Sequence, residues 1–209
     1  MNNLLQIQNL CVDFLTEEGH FRAVDNVSFS IEKNEIFGLV GESGSGKSTI
    51  VKSILRILPA PGIISNGKII YKNENILSLD EQSMDHLRWK TISIVKQKAL
   101  NSLNPLLKIK KQITDTITAH EKIEQNELDN RCNNLIDMVG IDREYLNSYP
   151  HELSGGMRQR VVIAIALALK PNLIIMDEPT TALDVVIEKD IILKILELKE
   201  KLGFSILFI

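Results

Sequence analysis

The stretch Gly41-Glu42-Ser43-Gly44-Ser45-Gly46-Lys47-Ser48-Thr49 follows directly on the apolar run Ile36-Phe37-Gly38-Leu39-Val40. It leads directly into the helical pattern Ile50, Val51, Ile54 and Leu55. A buried strand, a glycine-rich turn and a helix in that order are the context in which G-x-x-x-x-G-K-[ST] becomes a phosphate cradle. The glycines let successive backbone N–H groups converge on an anion, and the helix N-terminus adds partial positive charge. Lys47 is the point charge for the β- and γ-phosphates, and the Ser48 hydroxyl is a ligand for Mg²⁺. The segment predicts binding of a nucleoside triphosphate.

Two further motifs carry chemistry. Leu173-Ile174-Ile175-Met176 reads as a buried central strand, and it ends in Asp177-Glu178-Pro179. Ligands of open α/β sheets sit at the carboxyl ends of such strands. Asp177 is therefore the candidate Mg²⁺ ligand, through water, and Glu178 the candidate base for an attacking water. Leu153-Ser154-Gly155-Gly156 precedes a third helical pattern and forms a second anion site of hydroxyl and backbone N–H groups. One chain has no use for two such sites around one triphosphate. A head-to-tail dimer does, with Ser154, Gly155 and Gly156 of each chain closing over the nucleotide held by the other.

The rest of the chain fits a large α/β domain. Residues 4–14 and 21–31 alternate as strands around the turn Thr16-Glu17-Glu18-Gly19-His20, predicting an antiparallel sheet at the N-terminus. The first helix is expected to run to the break Pro59-Ala60-Pro61-Gly62, with short strands at 68–71 and 91–95. From about residue 98 to residue 156 the texture is helical: Ile109, Ile113 and Ile117, then Leu128, Leu135, Ile136 and Val139 before Gly140. Helices over 157–169 and 185–202 and strands over 173–176 and 204–209 complete the alternation. Strands alternating with helices imply a largely parallel sheet with helices on both faces.

Composition sets bounds on partners. A formal net charge of -3 argues against a general nucleic-acid binder, and no nucleic-acid partner is expected. Cys11 and Cys132 match no metal or redox spacing and read as reduced thiols. No apolar run reaches the roughly 18 residues of a membrane span. The N-terminus has no signal-peptide pattern, so a cytoplasmic placement is expected.

Taken together, the phosphate loop, Gln97, Leu153-Ser154-Gly155-Gly156-Met157, Asp177-Glu178 and Ala182-Leu183-Asp184 resemble the ATP-binding subunit of an ABC transporter. The resemblance covers essentially the whole chain. It implies a P-loop NTPase with a RecA-like core, an N-terminal antiparallel β subdomain and an inserted helical subdomain. The whole of 1–209 would then be a single ATP-binding domain. About 1–97 and 157–209 form the core with its β subdomain, and about 98–156 the helical subdomain with the signature at its end. The resemblance also implies ATP as the nucleotide and a role for Gln97 in sensing Mg²⁺ or the attacking water. It makes Ala182-Leu183-Asp184 a contact with the opposite subunit, and Phe14 an aromatic stacked on adenine, with Phe21 as the second candidate. Glu178, Gln97 and Lys47 are thereby the expected catalytic set, and Ser48, Gln97 and Asp177 the expected metal set.

Finer wording is similar to the oligopeptide, dipeptide and nickel importers: Ala23-Val24-Asp25-Asn26-Val27-Ser28-Phe29, Ser102-Leu103-Asn104-Pro105 and Tyr149-Pro150-His151-Glu152-Leu153. The group's Phe-Gln-Asp-Pro is replaced here by Lys96-Gln97-Lys98-Ala99. His151 is expected to be structural. The implied partners are a second copy or a similar ATPase subunit, two membrane permease subunits and, indirectly, a solute-binding protein. The implied location is peripheral, at the cytoplasmic face of the membrane. Peptide and nickel both remain open as cargo. The chain stops within the apolar strand Phe204-Ser205-Ile206-Leu207-Phe208-Ile209, where the family continues with Thr-His-Asp. The expectation from this is a truncated product that binds ATP, with weak hydrolysis. The rival expectation to a working importer subunit is a remnant that binds ATP without efficient turnover or transport.

Overall fold

A computed structural model describes residues 3–17, 19–96, 102–180 and 184–209. The chain divides into two compact units, residues 1–88 with 205–209 and residues 89–204.

In the first unit, β1 (Asn3–Thr16) and β2 (Gly19–Glu32) form an antiparallel hairpin, and β4 (Gly62–Tyr71) pairs antiparallel with the other side of β1. The short β5 (Glu74–Asn75) extends β4, giving the order β2-β1-β4-β5. Leu5, Ile7, Leu10, Val12, Val24 and Ile31 are sealed from solvent and form the core under the hairpin. The pairing is irregular at one functional place. Val12 faces Val24, but the next residue of β1, Asp13, faces Arg22, so Ala23 is an extra residue bulged out of β2.

β4 begins six residues before the 68–71 strand that the apolar pattern predicts. Ser65-Asn66-Gly67 break the alternation, yet backbone pairing to β1 carries the strand through them. β3 (Ile36–Gly38) runs parallel to β8 (Ser205–Phe208), with Phe37 opposite Leu207. α1 (Lys47–Ile54) is shorter than predicted, ending at Leu55 before Arg56 turns left-handed at φ +51°.

Two arginines close the end of α1. Arg88, just past α2 (Glu81–Leu87), donates from Nε to the Leu55 carbonyl at 2.9 Å and from Nη2 to the Arg56 carbonyl at 3.3 Å. Arg56 donates to the Leu79 carbonyl at 2.6 Å, and both guanidinium groups meet Glu81, at 3.0 and 3.2 Å. Charged donors on otherwise orphaned helix carbonyls are each worth roughly 1.5–3 kcal/mol. Arg88→Ala should therefore lower unfolding stability by about 2 kcal/mol in a denaturant titration. Arg88→Lys should restore less than half of that, because one ammonium cannot span both carbonyls and Glu81.

In the second unit, β6 (Ile92–Val95) and β7 (Leu173–Met176) pair in parallel, Ile92 with Leu173 through Val95 with Met176. All four residues of β7 are buried, as expected of a parallel strand covered on both faces. α3 (Ile109–Thr118) buries Ile109, Ile113 and Ile117, and α4 (Gln125–Met138) buries Leu128, Cys132, Leu135 and Ile136. α5 (Gly155–Leu167) is buried along most of its length, from Gly156 and Gln159 to Leu167. Arg131 of α4 ties the end of α5 by donating to the Ala168 carbonyl while paired with Glu121, both at 2.5 Å. α6 (Val185–Leu202) starts at Asp184, whose carboxylate accepts from the Ile187 N–H at 3.0 Å, and stops at Gly203.

Candidate functional site

The phosphate loop connects β3 to α1 in the first unit. Gly46 is the N-cap residue of α1, at φ +90°, and no side chain caps the helix. The first N–H groups of α1 therefore open onto solvent through a loop that is itself exposed from Gly41 to Ser45. Lys47 folds back over this loop. Its Nζ donates to the Gly41 carbonyl at 2.8 Å, the Glu42 carbonyl at 2.6 Å and the Ser45 hydroxyl at 3.3 Å. The ammonium is thus tied to the loop that leads into the uncapped end of α1. Ser48, in the first turn of α1, is exposed, and Thr49 accepts the Ser53 hydroxyl bond on its carbonyl at 2.8 Å.

A support for this loop comes from Ala23, a residue with no chemistry of its own at the site. A Cβ added at Gly46 would run into the Ala23 carbonyl oxygen and lie 3.4 Å from Val24 Cγ2. The bulge in β2 is what presses that carbonyl against the loop. Only a residue with no side chain, free to take a positive φ, fits there.

The aromatic candidates sit on the same hairpin. Phe14 is half-buried and pairs across β1–β2 with Phe21, which is 61% exposed. One rung inward, Arg22 Nε donates to Asp13 Oδ1 at 2.9 Å and Nη1 to Asp25 Oδ1 at 3.1 Å. The bond to Arg22 holds the Asp13 carboxyl below the ordinary aspartate range.

In the second unit, Asp177 follows β7, and its N–H donates to the Val95 carbonyl at 2.9 Å, extending the β6–β7 ladder by one bond. Asp177 and Glu178 are both half-buried. Glu178 has φ +48°, a conformation that costs a glutamate of the order of 1–3 kcal/mol and aims its side chain off the strand direction. Two residues on, Thr180 donates its hydroxyl to Glu188 Oε1 of α6 at 2.8 Å, pinning the turn that carries Glu178.

Ser154 is the N-cap of α5, its hydroxyl accepting from the Met157 N–H at 3.3 Å. Ser154 is exposed, Gly155 half-buried, and Gly156 lies against Ile187 of α6. His151 stacks on Tyr149, ring centroids 5.6 Å apart, one turn before the signature. Gln97, Ala182 and Leu183 lie outside the described residues. The two thiols are buried and free, and burial raises the Cys132 thiol above its usual value.

The phosphate-loop residues, Lys47, Ser48 and the aromatic pair thus belong to one unit, and Asp177, Glu178 and Ser154 to Gly156 belong to the other. Among the described residues no group of three or more His, Cys, Asp or Glu side chains is arranged to hold a metal by itself.

A family model described as ABC transporter matches residues 24–181. The oligopeptide transport ATP-binding protein OppD of Bacillus subtilis is 42% identical over 212 aligned positions, covering 100% of this chain and 59% of that protein. The dipeptide transport ATP-binding protein DppD of Caldanaerobacter subterraneus subsp. tengcongensis is 40% identical over 211 positions, covering 100% and 65%. The chain therefore spans about three fifths of the length of the curated relatives it matches. Among solved structures, the dimeric post-hydrolysis state of the ATP-binding cassette MJ0796 bound to ADP and Pi is similar with a TM-score of 0.83 and 28% identity. That match covers 98% of this chain and 86% of the cassette. The cbiO1 component of the cbiONQ transporter complex of Clostridium perfringens gives 0.85 and 26%, covering 100% and 78%.

Proposed function

This chain belongs to the ABC transporter family, and on that premise we propose that it binds and hydrolyses ATP to energise an importer of peptides, with nickel as the alternative cargo. The observation that carries the proposal is the uncapped N-terminus of α1 with the Lys47 ammonium drawn into the same turn. Such a site is built for a polyphosphate. The names of the relatives support peptides as the cargo.

In this reading Lys47 and the N–H groups of the loop grip the β- and γ-phosphates. Ser48, Asp177 and Gln97 are the residues that would hold Mg²⁺, which would offset charge on the transferring phosphoryl group. Glu178 takes the proton of the attacking water, and the pinned turn after it keeps the carboxylate aimed. Ser154, Gly155 and Gly156 meet the nucleotide of a second copy or a similar ATPase subunit.

Permease subunits are the proposed membrane partners. A cavity of about 400 Å³, with Trp89, Ile94, Leu103 and Ile165 among its apolar lining residues and Ser102, Gln112 and Thr116 among its polar ones, is the proposed seat for a permease segment. It includes Lys96, the residue before Gln97. Attachment through such partners, at the cytoplasmic face, is the proposed arrangement, and the names of the relatives as transport proteins support it.

Titration of the purified chain with a fluorescent ATP analogue and Mg²⁺ tests the central claim. Lys47→Ala should weaken binding by about 10- to 100-fold, the loss expected for removing a charged donor from phosphate. Equal affinity in both proteins would sink the nucleotide reading. Uptake of labelled dipeptide against labelled nickel, in cells carrying the wild-type or the Lys47→Ala gene, decides the cargo.

A further inference from the structure

Gly156 lies inside α5, where its backbone takes no positive φ and alanine would be the better helix former. What keeps a side chain out is Ile187 of α6. A Cβ on Gly156 would lie 2.8 Å from Ile187 Cγ2 and 3.8 Å from its Cδ1. The bare side of this glycine is therefore turned toward α6 of the same chain. Its missing side chain is what lets the two helices approach, and the space is filled by one branched residue.

Ile187 stands at a junction. Its N–H donates to the Asp184 carboxylate at 3.0 Å, so its backbone is held at the helix cap while its side chain is held by α5. Val185 and Val186 beside it are 79% and 71% exposed, which leaves Ile187 as the apolar anchor of that turn. The next residue, Glu188, accepts the Thr180 hydroxyl at 2.8 Å. Thr180 closes the turn in which Glu178 is held at φ +48°. Van der Waals contact, helix cap and hydrogen bond thus follow one another from Gly156 to the turn of Glu178, all within the second unit.

We propose that Ile187 is a positioning residue for ATP hydrolysis. By wedging against Gly156 it fixes the rotation of the first turn of α6, and through Glu188 and Thr180 it fixes the turn that aims Glu178. This rests on the reading of Glu178 as the base and adds to it what holds the carboxylate in place. Rotation of that turn by one residue would swing Glu188 about 100° away from Thr180 and release the pin.

The test is phosphate release beside an ATP titration, both with the whole chain. Ile187→Ala should lower kcat about tenfold with the ATP Kd changed less than twofold, since a loosened support misplaces the base without touching the phosphate loop. Ile187→Val keeps Cγ2 and should keep the wild-type kcat. Gly156→Ala should lower kcat about 100-fold. Combining it with Ile187→Ala gives the added methyl the space of the lost Cγ2, and kcat should recover about tenfold. Thr180→Val removes the pin, leaves the helix contact intact and should reproduce the Ile187→Ala loss even if Ile187→Ala fails to fold. An unchanged kcat in Ile187→Ala or Thr180→Val, or a double variant no faster than Gly156→Ala, would overturn this inference alone. A wild-type chain without turnover, or full turnover in Glu178→Gln, would overturn the reading of the base and this inference with it.

Discussion

Replacing Glu178 by glutamine is expected to cut ATP turnover by about 10²- to 10⁴-fold, with ATP affinity changed by no more than about twofold. Glutamine keeps the size and the hydrogen-bonding reach of the side chain and removes only the ability to take a proton. The split between turnover and affinity is therefore the diagnostic, and a phosphate-release assay beside an ATP titration reads it. Wild-type turnover in the variant would move the base elsewhere. The backbone offers a second reading of the same position. Glu178 is held at φ +48°, so Glu178→Gly should abolish turnover equally while raising unfolding stability by about 1 kcal/mol through relief of that strain. A residue that is both required for chemistry and uncomfortable for the fold is the pattern expected where geometry serves function.

Gly46→Ala should be severely damaging to nucleotide binding. The added methyl meets the Ala23 carbonyl oxygen, and the backbone at φ +90° is one that alanine rarely takes. Relief requires the loop to move away from β2. A displacement of the order of 1 Å in a positioned site costs about 100-fold in function, and that loss of ATP affinity is expected here. Unfolding stability should fall by about 1–3 kcal/mol. Affinity within a few-fold of wild type in the same titration would show that the loop tolerates the shift. The bulge at Ala23 would then be incidental to binding.

Local signals carried most of the element order. The glycine spacing of residues 41–49, the apolar run Leu173 to Met176 and the isoleucine repeat of α3 each announce one element unaided. Where the signal was weak, the elements were missed. α2 buries only Met84 and Leu87, too few for a periodic pattern, though Asp80 does cap it by accepting from the Ser83 N–H. β4 was cut short because its first half is polar and owes its form to pairing with β1.

The site was legible in the identity of its residues and not in their supports. Nothing near Gly46 in sequence points to Ala23, and nothing near Phe14 points to Gly62, which lies against its ring. Both contacts arise from strand register, which sequence pattern constrains only loosely when a bulge intervenes. The strain at Glu178 is likewise invisible in a string of letters, because it follows from how the turn is pinned by Thr180 and Glu188.

The bulge in β2 has a further consequence. Because one hairpin carries Phe14 and Phe21 at its outer end and touches the phosphate loop through Ala23, the gap between rings and loop is set by covalent chain inside one compact unit. The hairpin acts as a caliper. The spacing between rings and loop is therefore a property of the hairpin's register, and a one-residue slip at the bulge would change it.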